Sequence, residues 1–175
     1  MNFYKVPDYI FNPIAERKIC SGNVLVVADP ACSLTNQVKK QEGLNVIRSE
    51  GTDEPDPDYW RGLKNIDWVV AITQGNKYTH NYVLEYGIQT ATQGVIVLDR
   101  IALLEPVQSR RGFLTNNHLT NLIILNPRPV FRADGNTLKA SMTSAWFVFK
   151  RIGAVPGKTN IEFEVGWQRP SLISA

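Results

Sequence analysis

Cysteine is scarce: the 175 residues hold two, Cys20 and Cys32, and neither stands in a CxxC pair or near a histidine cluster. This excludes a disulfide framework and a structural zinc site, and it points to a reduced, intracellular protein. Histidine is equally rare. His80 and His118 have neither metal-ligand spacing nor a paired nucleophile, so no metal is expected. No apolar run approaches the roughly 18 residues of a membrane span, and residues 1–20 are broken by Pro7 and Pro13 and lack a signal peptide's apolar centre. The expected compartment is the cytoplasm, or the host cytoplasm for a phage-encoded chain, with no membrane partner. Internal repeats and low-complexity tracts are absent, and so is a large excess of one charge. Nineteen Lys+Arg against sixteen Asp+Glu leave a net charge of +3, which permits nucleic-acid contact without requiring it.

What is present is an ordinary globular composition, 43% hydrophobic and 20% charged, in a length that suits one domain. Residues 1–12 are aromatic and punctuated by proline, and read as an arm lying across the domain. Asn12-Pro13 is a helix start, with Asn12 as N-cap, and Ser21-Gly22 a stop. Six apolar runs then read as strands: residues 23–28 (NVLVVA), 45–48, 67–73 (DWVVAIT), 94–99 (GVIVLD), 121–126 (NLIILN) and 145–150 (AWFVFK). Runs apolar on both faces suit a covered parallel sheet. Segments of helical pattern lie between them, around 36–41 and at 79–92, where Tyr82, Val83, Tyr86 and Ile88 or Gln89 recur at helical spacing. The expected fold is α/β, a Rossmann-like, mostly parallel sheet of about six strands with flanking helices. Residues 1–22 form an arm and short helix, 23–151 the α/β domain, and 152–175 a tail. Within the tail, 160–167 alternates Ile161, Phe163 and Val165 with Glu162, Glu164 and Gly166, a half-buried strand or a segment that pairs with a protein partner or a second copy.

In parallel sheets ligands sit beyond the carboxyl ends of the strands, so the loops after the first and third runs are the places for chemistry. After the first come Asp29, Pro30, Ala31, Cys32 and Ser33, small residues leading to a helix; without glycines they make neither a dinucleotide fingerprint nor a P-loop. The alternative is a plain turn capped by Asp29. Glu50, ending the second run, is a candidate ribose-binding carboxylate, while the acidic stretch 50–58 around it reads as a solvated loop. After the third run, Gln74, Asn76 and Tyr78 offer amides and a ring to a heterocycle, or form a turn ahead of a Thr79 cap. Residues 128–143 read as a long polar excursion. Two prolines hold Arg128 outward at its start, and Arg128 and Arg132 could meet phosphates while Phe131 stacks on a base. The bland reading is a strand-ending turn whose aromatics close the core.

Taken in order, these features resemble the class I S-adenosylmethionine-dependent methyltransferases, and among them short, often phage-encoded N-6 adenine DNA methyltransferases. The similarity runs over residues 3–151. FYKVPDYIFNPIAERKI is similar to an amino-terminal aromatic-proline arm and helix, and VVADPACSLT to the motif that closes over the cofactor's amino-acid end. GVIVLDRIALLEPVQSRRGFL, NLIILNPRPVFRADG and AWFVFKR are similar to the later strands. The resemblance implies S-adenosylmethionine at Asp29–Ser33 with Glu50, a catalytic loop in Gln74, Asn76 and Tyr78, and nucleic acid as methyl acceptor. Two departures stand out: no Pro-Pro pair follows DWVVAIT, and the cofactor turn has no glycine. They point to a methyltransferase-like protein whose amine-methylating motif is degenerate and which acts as a binding or interaction module. An active methyltransferase and a phage structural or assembly component are the alternatives.

Overall fold

Apolar, β-branched runs become the interior of a sheet because both of their faces must be covered. The computed structural model describes residues 4–28, 33–50, 57–73, 79–105, 119–133, 136–138, 143–153, 155 and 158–169. In chain order the elements are β1 (Tyr4–Lys5), α1 (Asn12–Glu16), β2 (Gly22–Val27), α2 (Leu34–Lys39), β3 (Leu44–Glu50), α3 (Pro57–Gly62), β4 (Trp68–Ile72), α4 (Thr79–Thr90) and β5 (Gly94–Arg100). A 3₁₀ turn (Ile101–Leu104) follows, then β6 (Leu119–Asn126), β7 (Phe131–Ala133), β8 (Asn136–Leu138), β9 (Ser144–Lys150) and β10 (Asn160–Val165). All six expected strands form. With β10 they make one seven-stranded sheet in the order β10-β6-β9-β5-β4-β2-β3. Neighbours are parallel except at β9, which runs antiparallel to both β5 and β6.

Alternation along each strand divides the core between the two faces. On one face Val24, Val26, Val70, Leu98 and Trp146 pack under Ile10, Phe11 and Ile14 of the arm and α1, and under Leu34 and Val38 of α2. On the other, Leu25, Val69, Val97 and Phe147 pack under Trp60 of α3 and Val83 and Leu84 of α4. The arm is therefore core, as expected of a segment lying across the domain, and Trp146 Nε1 donates to Ile10 O at 2.9 Å to pin it.

The structure corrects five local expectations. The arm holds a regular element, since β1 pairs antiparallel with β7, and β7 with β8, so the excursion at 128–143 contains a small three-stranded sheet. Asn12 is not the N-cap of α1. Phe11 holds that position, and Asn12 turns inward to donate from Nδ2 to Arg169 O at 2.7 Å. The helix ends at Glu16 rather than at Ser21-Gly22: Lys18 adopts φ 48°, and the Lys18 and Ile19 N–H groups return to Ala15 O and Ile14 O. That is a Schellman stop with lysine in glycine's usual place, so no glycine marked it in the sequence. The acidic stretch does not stay loop to residue 58, because α3 begins at Pro57 and is anchored by buried Trp60. Finally, β10 is a strand with the opposite orientation to that expected. Its glutamates turn toward the protein, held by Arg17, and Ile161, Phe163 and Val165 face solvent.

Candidate functional site

The chain leaves β2 for β3 on one side and later returns to β4 on the other, so strand order reverses between β2 and β4. In a doubly wound sheet such a switch opens a crevice at the carboxyl edge, because the two crossovers depart to opposite faces. Here α2 packs on one face and α3 and α4 on the other. Three strands end at this edge: β2 at Val27, β3 at Glu50, whose Cα lies opposite Val27, and β4 at Ile72.

Among the residues expected to hold a cofactor, Glu50 is the last residue of β3, beside the carboxyl end of β2. Asp29, Pro30, Ala31 and Cys32 lie outside the described residues, as do Gln74, Asn76 and Tyr78. Ser33 is the residue that precedes α2. Its hydroxyl donates to Val6 O at 3.4 Å and accepts from Gln37 Nε2 at 2.8 Å. Gln37 also donates to Pro7 O at 3.1 Å and accepts from Phe11 N–H at 3.1 Å, so it latches the arm to α2 beside the crevice. A glutamine inside a short helix gave no sequence signal for this role.

A buried polar pair stands where the chain leaves β4. Thr73 and Asp99 are 1% and 7% exposed, and Thr73 Oγ1 donates to Asp99 Oδ2 at 2.5 Å. The other carboxylate oxygen accepts the Arg100 N–H at 2.6 Å, and Thr73 N–H donates to Leu98 O at 3.2 Å. A charged hydrogen bond in an apolar surround is short and directional, so it fixes where the chain leaves the sheet. Sequence reading missed Asp99. The one available signal was an acid ending the apolar run GVIVLD.

Arg128 follows β6, is exposed, and lies at the same carboxyl edge. Three strand steps separate β6 from β4, about 14 Å at ordinary strand spacing. Phe131 and Arg132 lie on β7, where Arg132 is paired with Lys5 of β1 and with Thr137 of β8. Arg128 thus stands apart from the β2–β4 switch at the same edge of the sheet, while Phe131 and Arg132 belong to the small sheet with β1 and β8. Among the described residues no group of three or more His, Cys, Asp or Glu could hold a metal ion, and no helix is long and apolar enough to cross a membrane.

No family model and no curated protein matches the chain. Solved structures do. A candidate class I S-adenosylmethionine-dependent methyltransferase from Listeria monocytogenes superposes with a TM-score of 0.59 at 14% identity, covering 97% of this chain and 68% of that one. A predicted O-methyltransferase from Agrobacterium tumefaciens aligns with a TM-score of 0.45 at 10% identity, over 82% and 78% of the two chains. The superposition on the first of these makes the fold methyltransferase-like and Rossmann-like, in agreement with the expected class.

Proposed function

We propose that this chain is a methyltransferase-fold module that binds S-adenosylmethionine in the crevice between β2 and β4 and has lost efficient amine methylation. One observation supports the reading: the reversal of strand order brings the carboxyl ends of β2, β3 and β4 to one edge, and in the sequence Asp29–Ser33 follows β2, Glu50 ends β3 and Gln74–Tyr78 follows β4. Glu50 fits the role of a ribose ligand, since a carboxylate ending the strand beside β2 can accept from both hydroxyls of a diol. Asp29 and the small residues after it suit the cofactor's amino-acid end. When bound, the cofactor supplies an electrophilic methyl group. Gln74 or Asn76 would offer a carbonyl to the acceptor's hydrogen and Tyr78 a ring for stacking, on a loop that carries Gly75 and no proline pair. Loosening such an arrangement by 1 Å can cost about a hundredfold in rate, which favours the binding role over turnover.

A second reading, an enzyme active on DNA or another nucleic acid, draws support from exposed Arg128 on the same edge. Calorimetric titration with S-adenosylmethionine and S-adenosylhomocysteine tests the first reading. Saturable heat is expected, weakened at least tenfold by Glu50→Ala, which removes the charge-assisted contacts to the diol. Silence at millimolar ligand from a folded sample would overturn it. Transfer of labelled methyl to DNA or RNA, abolished by Tyr78→Ala, would replace the module with the enzyme.

A further inference from the structure

β10 is an edge strand built against the usual rule. Ile161, Phe163 and Val165 are 59%, 69% and 64% exposed, while Glu162 and Glu164 face the protein. The inversion is held in place rather than accidental. Arg17 reaches across from the end of α1, with Nε 2.8 Å from Glu162 and Nη2 2.7 Å from Glu164, and Nη1 donates to Pro13 O at 3.0 Å. β10 also runs in unbroken register with β6 from Asn160↔Asn121 to Val165↔Asn126. A slip of one residue would bury the apolar set but break both ion pairs.

Natural edge strands are usually blunted by a bulge, a proline, a lysine or an inward-pointing charge; β10 has no bulge, proline or lysine along its six residues, and its two inward charges, Glu162 and Glu164, are already paired with Arg17. Its second edge carries no strand among the described residues. The apolar stripe continues onto β6, where half-buried Ile124 stands opposite Phe163 on the same face. Covering only a strand edge and three side chains removes on the order of 500 Å² per copy, about 1,000 Å² for two, the lower limit of specific association.

We propose that β10 is a homodimer interface on which a second copy sets its own β10, antiparallel, across a two-fold axis at Phe163. The strand's own sequence selects this occupant. Centring on Phe163 places it against its symmetry mate and Ile161 against Val165 of the other copy, apolar on apolar, as an isologous contact requires. Glu162 then meets Glu164 on the other face, where each pair of carboxylates already carries its own Arg17. Registers displaced by one residue set Phe163 against a glutamate instead. A strand shaped for an unlike partner has no need of this self-match.

Sedimentation velocity of the full chain from roughly 1 to 100 μM brackets the micromolar dissociation expected of so small an interface. Reversible dimerisation is expected, and Phe163→Lys should leave a monomer over the whole range, with a melting curve that matches the wild type's at concentrations below the dissociation constant. Phe163→Cys, in a background of Cys20→Ser and Cys32→Ser, should give a disulfide-linked dimer on mild oxidation, since the introduced thiols face each other across the axis. A wild type that stays monomeric throughout overturns the proposal, and this is also what an unlike protein partner on β10 would give. A dimer that survives Phe163→Lys, or introduced thiols that do not cross-link, overturns it as well.

Discussion

Cys20 shows how a single side chain records its surroundings. It lies half-buried against the apolar cluster beneath α1, and burial, only partly offset by a backbone hydrogen bond, pushes its thiol from 9.0 up to about 12. The unfolded thiol ionises first as pH rises, while the native state keeps its proton. This group's share of stability is therefore complete below pH 9 and is lost progressively as pH climbs toward 12. At pH 8 native Cys20 should react with iodoacetamide at least tenfold more slowly than in urea, because the thiolate is the nucleophile. Peptide mapping of the alkylated protein separates it from Cys32, and equal rates in the two states would refute the assignment. Thr73 and Asp99 make the complementary case. Neither residue stands out in a linear reading, and the link between them exists only because β4 and β5 are neighbours in the sheet.

At the scale of elements, the sequence was most informative where burial is two-sided. The run at 23–28 was legible as a strand because nothing but a covered sheet accommodates NVLVVA, and β5 and β9 were legible for the same reason. It was least informative where one long-range contact decides. Asn12 reads as a helix cap until Arg169 is brought to it, and the alternation at 160–165 cannot say which face is inward until Arg17 is in place. Arg17 is thus the residue that orients β10. Burial works against its charge, but hydrogen bonds to Glu162 and Glu164 outweigh that cost and hold its pKa above the ordinary arginine value. Replacing it by methionine should cost only about 1 kcal/mol globally, as partly exposed ion pairs do. Hydrogen exchange should rise selectively in β10, whose acidic face would be left without its cation. Exchange rising evenly over the sheet would argue against this role.

For the whole molecule, the carboxyl-terminal segment is part of the packed structure. Trp167 is 2% exposed and its Nε1 donates to Pro127 O at 2.7 Å, Gly166 N–H donates to Asn126 O at 2.9 Å, and Arg169 O receives Asn12. Deleting residues 152–175 should remove more than the roughly 3–5 kcal/mol typical of losing one buried tryptophan, because β6 loses a neighbouring strand as well. Urea unfolding checks this. A midpoint that stays put would make the tail an accessory after all. The candidate site was legible only as a place. A parallel sheet announces that chemistry lies beyond its carboxyl edge, whereas the strand order that locates the crevice follows from crossovers that no local pattern encodes.

The position of β9 has a consequence for how the protein is made. It lies between β5 and β6, pairing Gly94 with Lys150 and Leu119 with Phe149, so it separates two strands that precede it in the chain. As the chain emerges from the ribosome, β5 ends at Arg100 while β9 does not begin until Ser144, and β6 has no strand in the sheet to join. Through that interval the nascent protein carries an open parallel half-sheet, and the insertion of Trp146, Phe147, Val148 and Phe149 closes it. Contacts so distant in sequence form slowly, so this closure is the stage at which a chaperone would find most to hold.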